Sequence, residues 1–243
     1  MARRPPPGRC VHCLLESVEL TWDHVFPRAW YPDNTPENLE KWKIPSCLAC
    51  NQLHSKSEGD LLTKLALSID PDDPLSSGIV QRALRATRAA EGRDPRDAEL
   101  REARRKAILE RVLDGDEIPR QAIYPGFGPV AEQPANEQVA IPVSAAAIHR
   151  LAEKVVRGLI YLNDSRFVEE PFKIEQFVLD DEGSRPIRQA LAKFGETFER
   201  GPGIRVTRAV TPDDRLSGLY EVEIWGRFKM YVSVMDSSRE NVN

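Results

Sequence analysis

The chain has 243 residues, 41% of them hydrophobic, with a formal net charge of −4. That is enough apolar material for one large or two smaller cored domains, and no apolar run approaches the roughly 18 to 20 residues of a membrane span. The start, Met1-Ala2-Arg3-Arg4-Pro5-Pro6-Pro7, lacks the apolar stretch of a signal peptide, so a cytoplasmic protein is expected; the acidic balance excludes arguing a nucleic-acid partner from bulk charge.

Residues 1–9 read as a Pro- and Arg-rich flexible lead-in. Cys10 to Leu67 then holds all four cysteines, three of the four histidines and three of the four tryptophans. The cysteines form two pairs, Cys10-Val11-His12-Cys13 and Cys47-Leu48-Ala49-Cys50, with 33 residues between them. Without an export signal, metal binding is expected over disulfides. Each pair presents two thiolates to a tetrahedral ion, so Cys10, Cys13, Cys47 and Cys50 together close a structural zinc site that leaves no position for water or substrate. The gap exceeds the roughly 15 to 20 residues of a zinc ribbon, which predicts a hairpin and loop between the knuckles. Such an ion contributes on the order of 10 kcal/mol to folding. His12, within the first knuckle, reads as exposed and incidental. A zinc-binding interaction module would explain the cysteines equally well.

Between the knuckles stand Thr21-Trp22-Asp23-His24-Val25-Phe26-Pro27 and Glu37-Asn38-Leu39; after the second comes Cys50-Asn51-Gln52-Leu53-His54-Ser55-Lys56. In this order the pieces resemble the HNH endonuclease family over Cys10 to about Leu62. The resemblance implies a ββα-metal, treble-clef-like module: two strands carrying Asp23-His24, then a helix from the second knuckle. It implies His24 as general base, Asp23 and Asn51 as ligands of a catalytic Mg2+ or Mn2+, and Asn38 as a brace for the loop carrying the base. His54 reads as a third ligand or a phosphate contact, and Lys56 as a nucleic-acid contact. The chemistry is coherent, since a neutral imidazole can take a proton from water while a hard cation meets the charge growing on phosphate. Successive strand residues point to opposite faces, so Asp23 and His24 need a turn or bulge at the strand end to act together. Trp22, Trp30 and Trp42 are expected to fill the small core.

After Asp70-Pro71-Asp72-Asp73-Pro74, residues Gln81–Leu113 predict two charged helices broken near Gly92-Arg93-Asp94-Pro95. Ten Lys/Arg against six Asp/Glu between Gln81 and Val112 fit a solvated face better than a DNA stripe. Gly115–Pro142 reads as an extended connection. Val143–Leu162 predicts an amphipathic helix capped by Ser144. Strands are predicted at Phe172–Leu179, Ile204–Val210 and, as a pair turning near Gly226, Tyr220–Val234, with a short helix at Pro186–Phe194. Val155-Val156-Arg157-Gly158-Leu159 and Trp225-Gly226-Arg227-Phe228 also resemble motifs of poorly characterised bacterial HNH-like proteins.

The expected fold is α+β: a zinc module (1–70), a helical and extended linker (71–142) and a small C-terminal α+β domain (143–243). The expected activity is metal-dependent hydrolysis of double-stranded DNA; RNA as substrate and a catalytically inactive zinc-finger adaptor for nucleic acid or protein are the alternatives. The C-terminal domain is a candidate for self-association or for a protein partner.

Overall fold

The computed structural model describes residues 4–119, 123–127 and 134–238; parts of the lead-in and of the Gly115–Pro142 connection lie outside them. The fold is α+β. Strands β1 (Leu20–His24) and β2 (Lys43–Cys47) form an antiparallel hairpin with Leu20 opposite Cys47 and His24 opposite Lys43. Helix α1 (Leu48–Ala66) leaves β2 directly, with Cys47 as its N-cap. The expected strand, strand, helix order is therefore present.

Helices α2 (Ile79–Arg85) and α3 (Pro95–Leu109) occupy the charged stretch. Asp94 caps α3 by accepting from the Asp97 amide, and Pro95 sits in the first turn, where no amide hydrogen is needed. Two-residue strands β3 (Leu113–Asp114) and β4 (Val139–Ala140) pair across the connection. Helix α4 (Ala145–Asp164) starts where expected, with Ser144 Oγ accepting from the Ala147 amide at 3.3 Å. Its stripe of Ile148, Leu151, Ala152, Val155, Val156, Leu159 and Ile160 is buried.

Strands β5 (Phe172–Phe177), β6 (Glu196–Glu199), β7 (Ile204–Val210), β8 (Gly218–Ile224) and β9 (Phe228–Asp236) form one antiparallel sheet in the order β5-β9-β8-β7-β6, with α5 (Arg185–Phe194) between β5 and β6 in sequence. The β8–β9 turn has Trp225 and Gly226 both at positive φ, 55° and 64°, the signature of a primed hairpin turn. A tryptophan there is held by its surroundings: its ring stacks on Trp30 at 5.3 Å, and its Nε1 donates to the Trp30 carbonyl at 2.9 Å.

One hydrophobic cluster runs from Val11, Val25, Phe26 and Trp30 through α4 to Val232 and Val234, so the segments share a core. Helix α4 is its axis. At Gly158 it approaches the hairpin so closely that a Cβ would lie 2.7 Å from Val25 Cγ2. At its end, Asp164 binds the buried Arg208 of β7 at 2.6 Å. Trp30 fills the core and Trp42 packs partly against it, as expected. Trp22 does not: at 41% exposure it lies on the outer side of β1, because the hairpin is a two-stranded sheet with a single covered face.

Candidate functional site

The four cysteine sulfurs lie within 4.8 Å of one another. Cys13 and Cys47 are 3.8 Å apart, the edge length of a regular tetrahedron whose centre is about 2.3 Å from each sulfur. Cys10 comes from the loop before β1 and Cys47 from the end of β2; their neighbourhood is set by the hairpin register, and the Cys47 amide donates to Cys10 Sγ at 3.3 Å. Burial works against ionising Cys10, yet the amides of Cys47, Cys13 and His12 outweigh it and bring this thiol down to about 7. Burial raises Cys13, and burial with neighbouring thiols raises Cys50. A divalent cation relieves such crowded thiolates, so this donor set fits a structural metal such as zinc.

Asp23 is 6% exposed and its carboxylate is fully engaged. Oδ2 lies 3.2 Å from His12 Nε2, and Oδ1 accepts from Lys154 Nζ of α4 at 2.9 Å. The same ammonium donates to Glu58 Oε1 of α1 at 2.5 Å. His54, one turn before Glu58, packs its ring 4.3 Å from that of His12. Burial favours the neutral acid at Asp23, but the His12 contact and the Lys154 charge prevail and lower its pKa; at Glu58 burial prevails and the carboxyl is raised. His54 is driven down to about 3, first by burial and then by His12. His12 is thus neither exposed nor incidental: its side chain is 5% exposed because the knuckle folds over the hairpin and turns the ring inward onto Asp23.

His24 lies elsewhere. Pairing stays regular through Asp23↔Ile44 and His24↔Lys43, with no bulge, so the two side chains leave opposite faces of the hairpin. The half-buried His24 imidazole is lowered to about 4, by burial first and then by the charges of Lys43 and Arg28. It is neutral at pH 7. Neither Lys43 nor Arg28 has an ion-pair partner among the described residues.

Asn51 stands on α1 facing β1, its Nδ2 donating to Thr21 Oγ1 at 3.0 Å and lying 3.5 Å from the Trp22 carbonyl. His54, one turn on, lies against His12, the residue that contacts Asp23. Asn38, expected to brace the loop that carries the base, is exposed in the turn after Pro36 and makes no side-chain hydrogen bond among the described residues. That loop is held by the Val25 amide on the Trp42 carbonyl at 3.0 Å and by Arg82 on the Tyr31 carbonyl at 3.0 Å. Lys56 is exposed and, two residues from His54, projects roughly 200° around the helix from it.

No family model, curated protein or solved structure matches the chain.

The arrangement gives no support to a second, catalytic divalent cation. Of the ligands expected for it, Asp23 has a protein partner on each carboxylate oxygen, and Asn51 Nδ2 donates to Thr21 Oγ1. Among the described residues, the group of metal-ligating side chains that does converge is the four cysteines. Glu58 and Lys154 were missed by sequence reasoning, although each had a signal. Both are charged residues set within apolar helical stripes, Glu58 between His54 and Leu61, Lys154 between Leu151 and Gly158.

Proposed function

We propose that this chain is an HNH-type nuclease acting on DNA phosphodiester bonds, with His24 as general base on a ββα module stapled by a structural zinc. The observation that carries this reading is the setting of His24: an imidazole kept neutral at physiological pH, partly open to solvent, between two cations without carboxylate partners. A neutral imidazole can accept the proton of an attacking water, and Lys43 and Arg28 are placed to meet the phosphate's negative charge. The cysteine site supports the reading by fixing the register that sets β1 against α1, and it supplies no chemistry to the reaction. No step is assigned to a magnesium or manganese ion.

The test is nicking of supercoiled plasmid by zinc-loaded protein, with structured RNA as a parallel substrate. His24→Ala is expected to abolish nicking with zinc content unchanged, and equal activity in the variant would remove His24 from the mechanism. A second reading has an observation of its own in its favour. Because Asp23 is committed to Lys154 and His12, the module can instead be a catalytically inactive zinc finger that binds nucleic acid through the Lys43 and Arg28 face. That reading predicts retention of DNA without cleavage by the wild-type chain.

A further inference from the structure

We propose that Trp22 is a base-stacking residue: the outer face of the hairpin binds single-stranded DNA by holding phosphates on Lys43 and Arg28 and an unpaired base on the Trp22 ring. The inference rests on the reading that this face meets nucleic acid, which the nuclease and the inactive zinc finger share, and adds to it the state of the strand that is bound.

The strand register puts the parts together. Pairing is regular from Leu20↔Cys47 to His24↔Lys43, so Trp22 and His24, two residues apart, leave the same face of β1, and Lys43, directly opposite His24, leaves that face of β2. Two residues of strand rise by about 7 Å, close to the length of one nucleotide. Of the four tryptophans, Trp22 is the one that is exposed, and Pro45, directly opposite it, is itself buried. The residues on either side of Trp22 are tied down, Thr21 to Asn51 and to the Ser46 carbonyl, Asp23 to Lys154 and His12. The ring is therefore presented from a fixed backbone.

Charge complementarity selects the partner. Lys43 and Arg28 are exposed and have no ion-pair partner among the described residues. Asp23, the carboxylate next to His24 in sequence, leaves the other face and is paired there with Lys154 at 2.9 Å. A positive face that also carries a flat ring fits a polyanion whose repeating unit carries one. Bases of a continuous duplex are stacked on both neighbours and have no face to offer a strand surface, whereas those of a single strand are open to an aromatic side chain. The cations alone would serve for duplex DNA; the exposed ring adds a contact that only an unpaired base can make.

The test is fluorescence anisotropy at fixed salt with zinc-loaded, full-length protein and labelled oligothymidylate, the same strand in abasic form, and a continuous duplex. Wild type is expected to bind oligothymidylate roughly five- to a hundredfold more tightly than the abasic strand, the gain from one stacked base. Trp22→Ala is expected to lose that preference, Trp22→Phe to keep part of it, and both to bind the duplex as wild type does. Circular dichroism and zinc content report the fold, and Trp22→Thr, which suits a strand without supplying a ring, serves if the alanine variant fails to fold. A wild type that binds the two single strands alike, or neither, would overturn the proposal, as would a folded Trp22→Ala or Trp22→Thr protein that keeps the preference or loses duplex affinity to the same degree. Absence of plasmid nicking with the Trp22-dependent preference intact would instead remove the nuclease reading and leave this one standing.

Discussion

Replacing Gly158 with alanine tests how α4 sits on the hairpin. The added Cβ would meet two methyl carbons of Val25 at 2.7 and 3.2 Å and Ile44 Cδ1 at 3.3 Å. Val25 and Ile44 are both fully buried, and a β-branched side chain has little rotamer freedom, so the conflict moves α4 or the hairpin rather than the end of a flexible chain. Overpacking of this kind costs about 1–3 kcal/mol, and alanine's better helix propensity returns about 1 kcal/mol. A net destabilisation of about 1 kcal/mol is expected. Val25→Ala alone deletes two buried methyl groups and costs about 2 kcal/mol. In the double variant the methyl introduced by Gly158→Ala enters the space that Val25 vacates, so the two costs are expected to fall short of additivity by about 1 kcal/mol or more. Urea unfolding of zinc-saturated protein, followed by tryptophan fluorescence and circular dichroism, reads all four corners of the cycle. Additivity within about 0.5 kcal/mol would mean that Val25 and Gly158 do not touch, and that hairpin and α4 do not share a core.

Cys47→Ser is expected to cost the chain its zinc, measured by elemental analysis, and to loosen β2 and the start of α1 together, since one residue ends the strand, caps the helix and belongs to the cysteine cluster; full zinc retention would refute the four-sulfur site. Arg28→Glu with Lys43→Glu is expected to weaken binding of labelled duplex DNA and to lower the slope of log affinity against log salt by about one for each phosphate no longer neutralised, with an unchanged slope placing the interface elsewhere. Acid should destabilise the fold through its histidines. His24 and His54 are held at about 4 and about 3, below the ordinary 6.5, so the unfolded chain binds more protons as acidity rises; stability is complete above about pH 6.5 and falls towards pH 4. A urea midpoint constant from about pH 7 to about pH 4.5 would contradict it.

Local features were legible because they depend on near neighbours. The Ser144 cap, the helix break before Pro95, the turn at Gly226 and the knuckle spacing each rest on a few consecutive residues, and the structure has them all. What could not be read were partners separated by long stretches of chain. Trp30 and Trp225 stack across 195 positions, and this pairing turned a tryptophan expected in a small local core into the tie between hairpin and C-terminal sheet. Asn38 is ambiguous for the opposite reason: an asparagine beside a turn has the same local signature whether it braces a distant loop or faces water.

Asp23 shows the limit most sharply. A buried carboxylate must have a counter-charge, and the sequence around it cannot say whether that charge is a metal ion or a lysine. The neighbours of Asp23 in sequence, and even Asn51 and His54 on α1, are compatible with both. The decision lies on α4, where one charged residue interrupts an apolar stripe, and its nearest consequence is at Glu58, a second charge on the buried side of another helix. Two such interruptions on helices that pack together are a pair in search of each other, since neither can be buried alone without several kcal/mol of penalty. Once Lys154 satisfies Glu58, it also satisfies Asp23, and the charges of Lys43 and Arg28 are left beside His24, on the other side of the strand from Asp23.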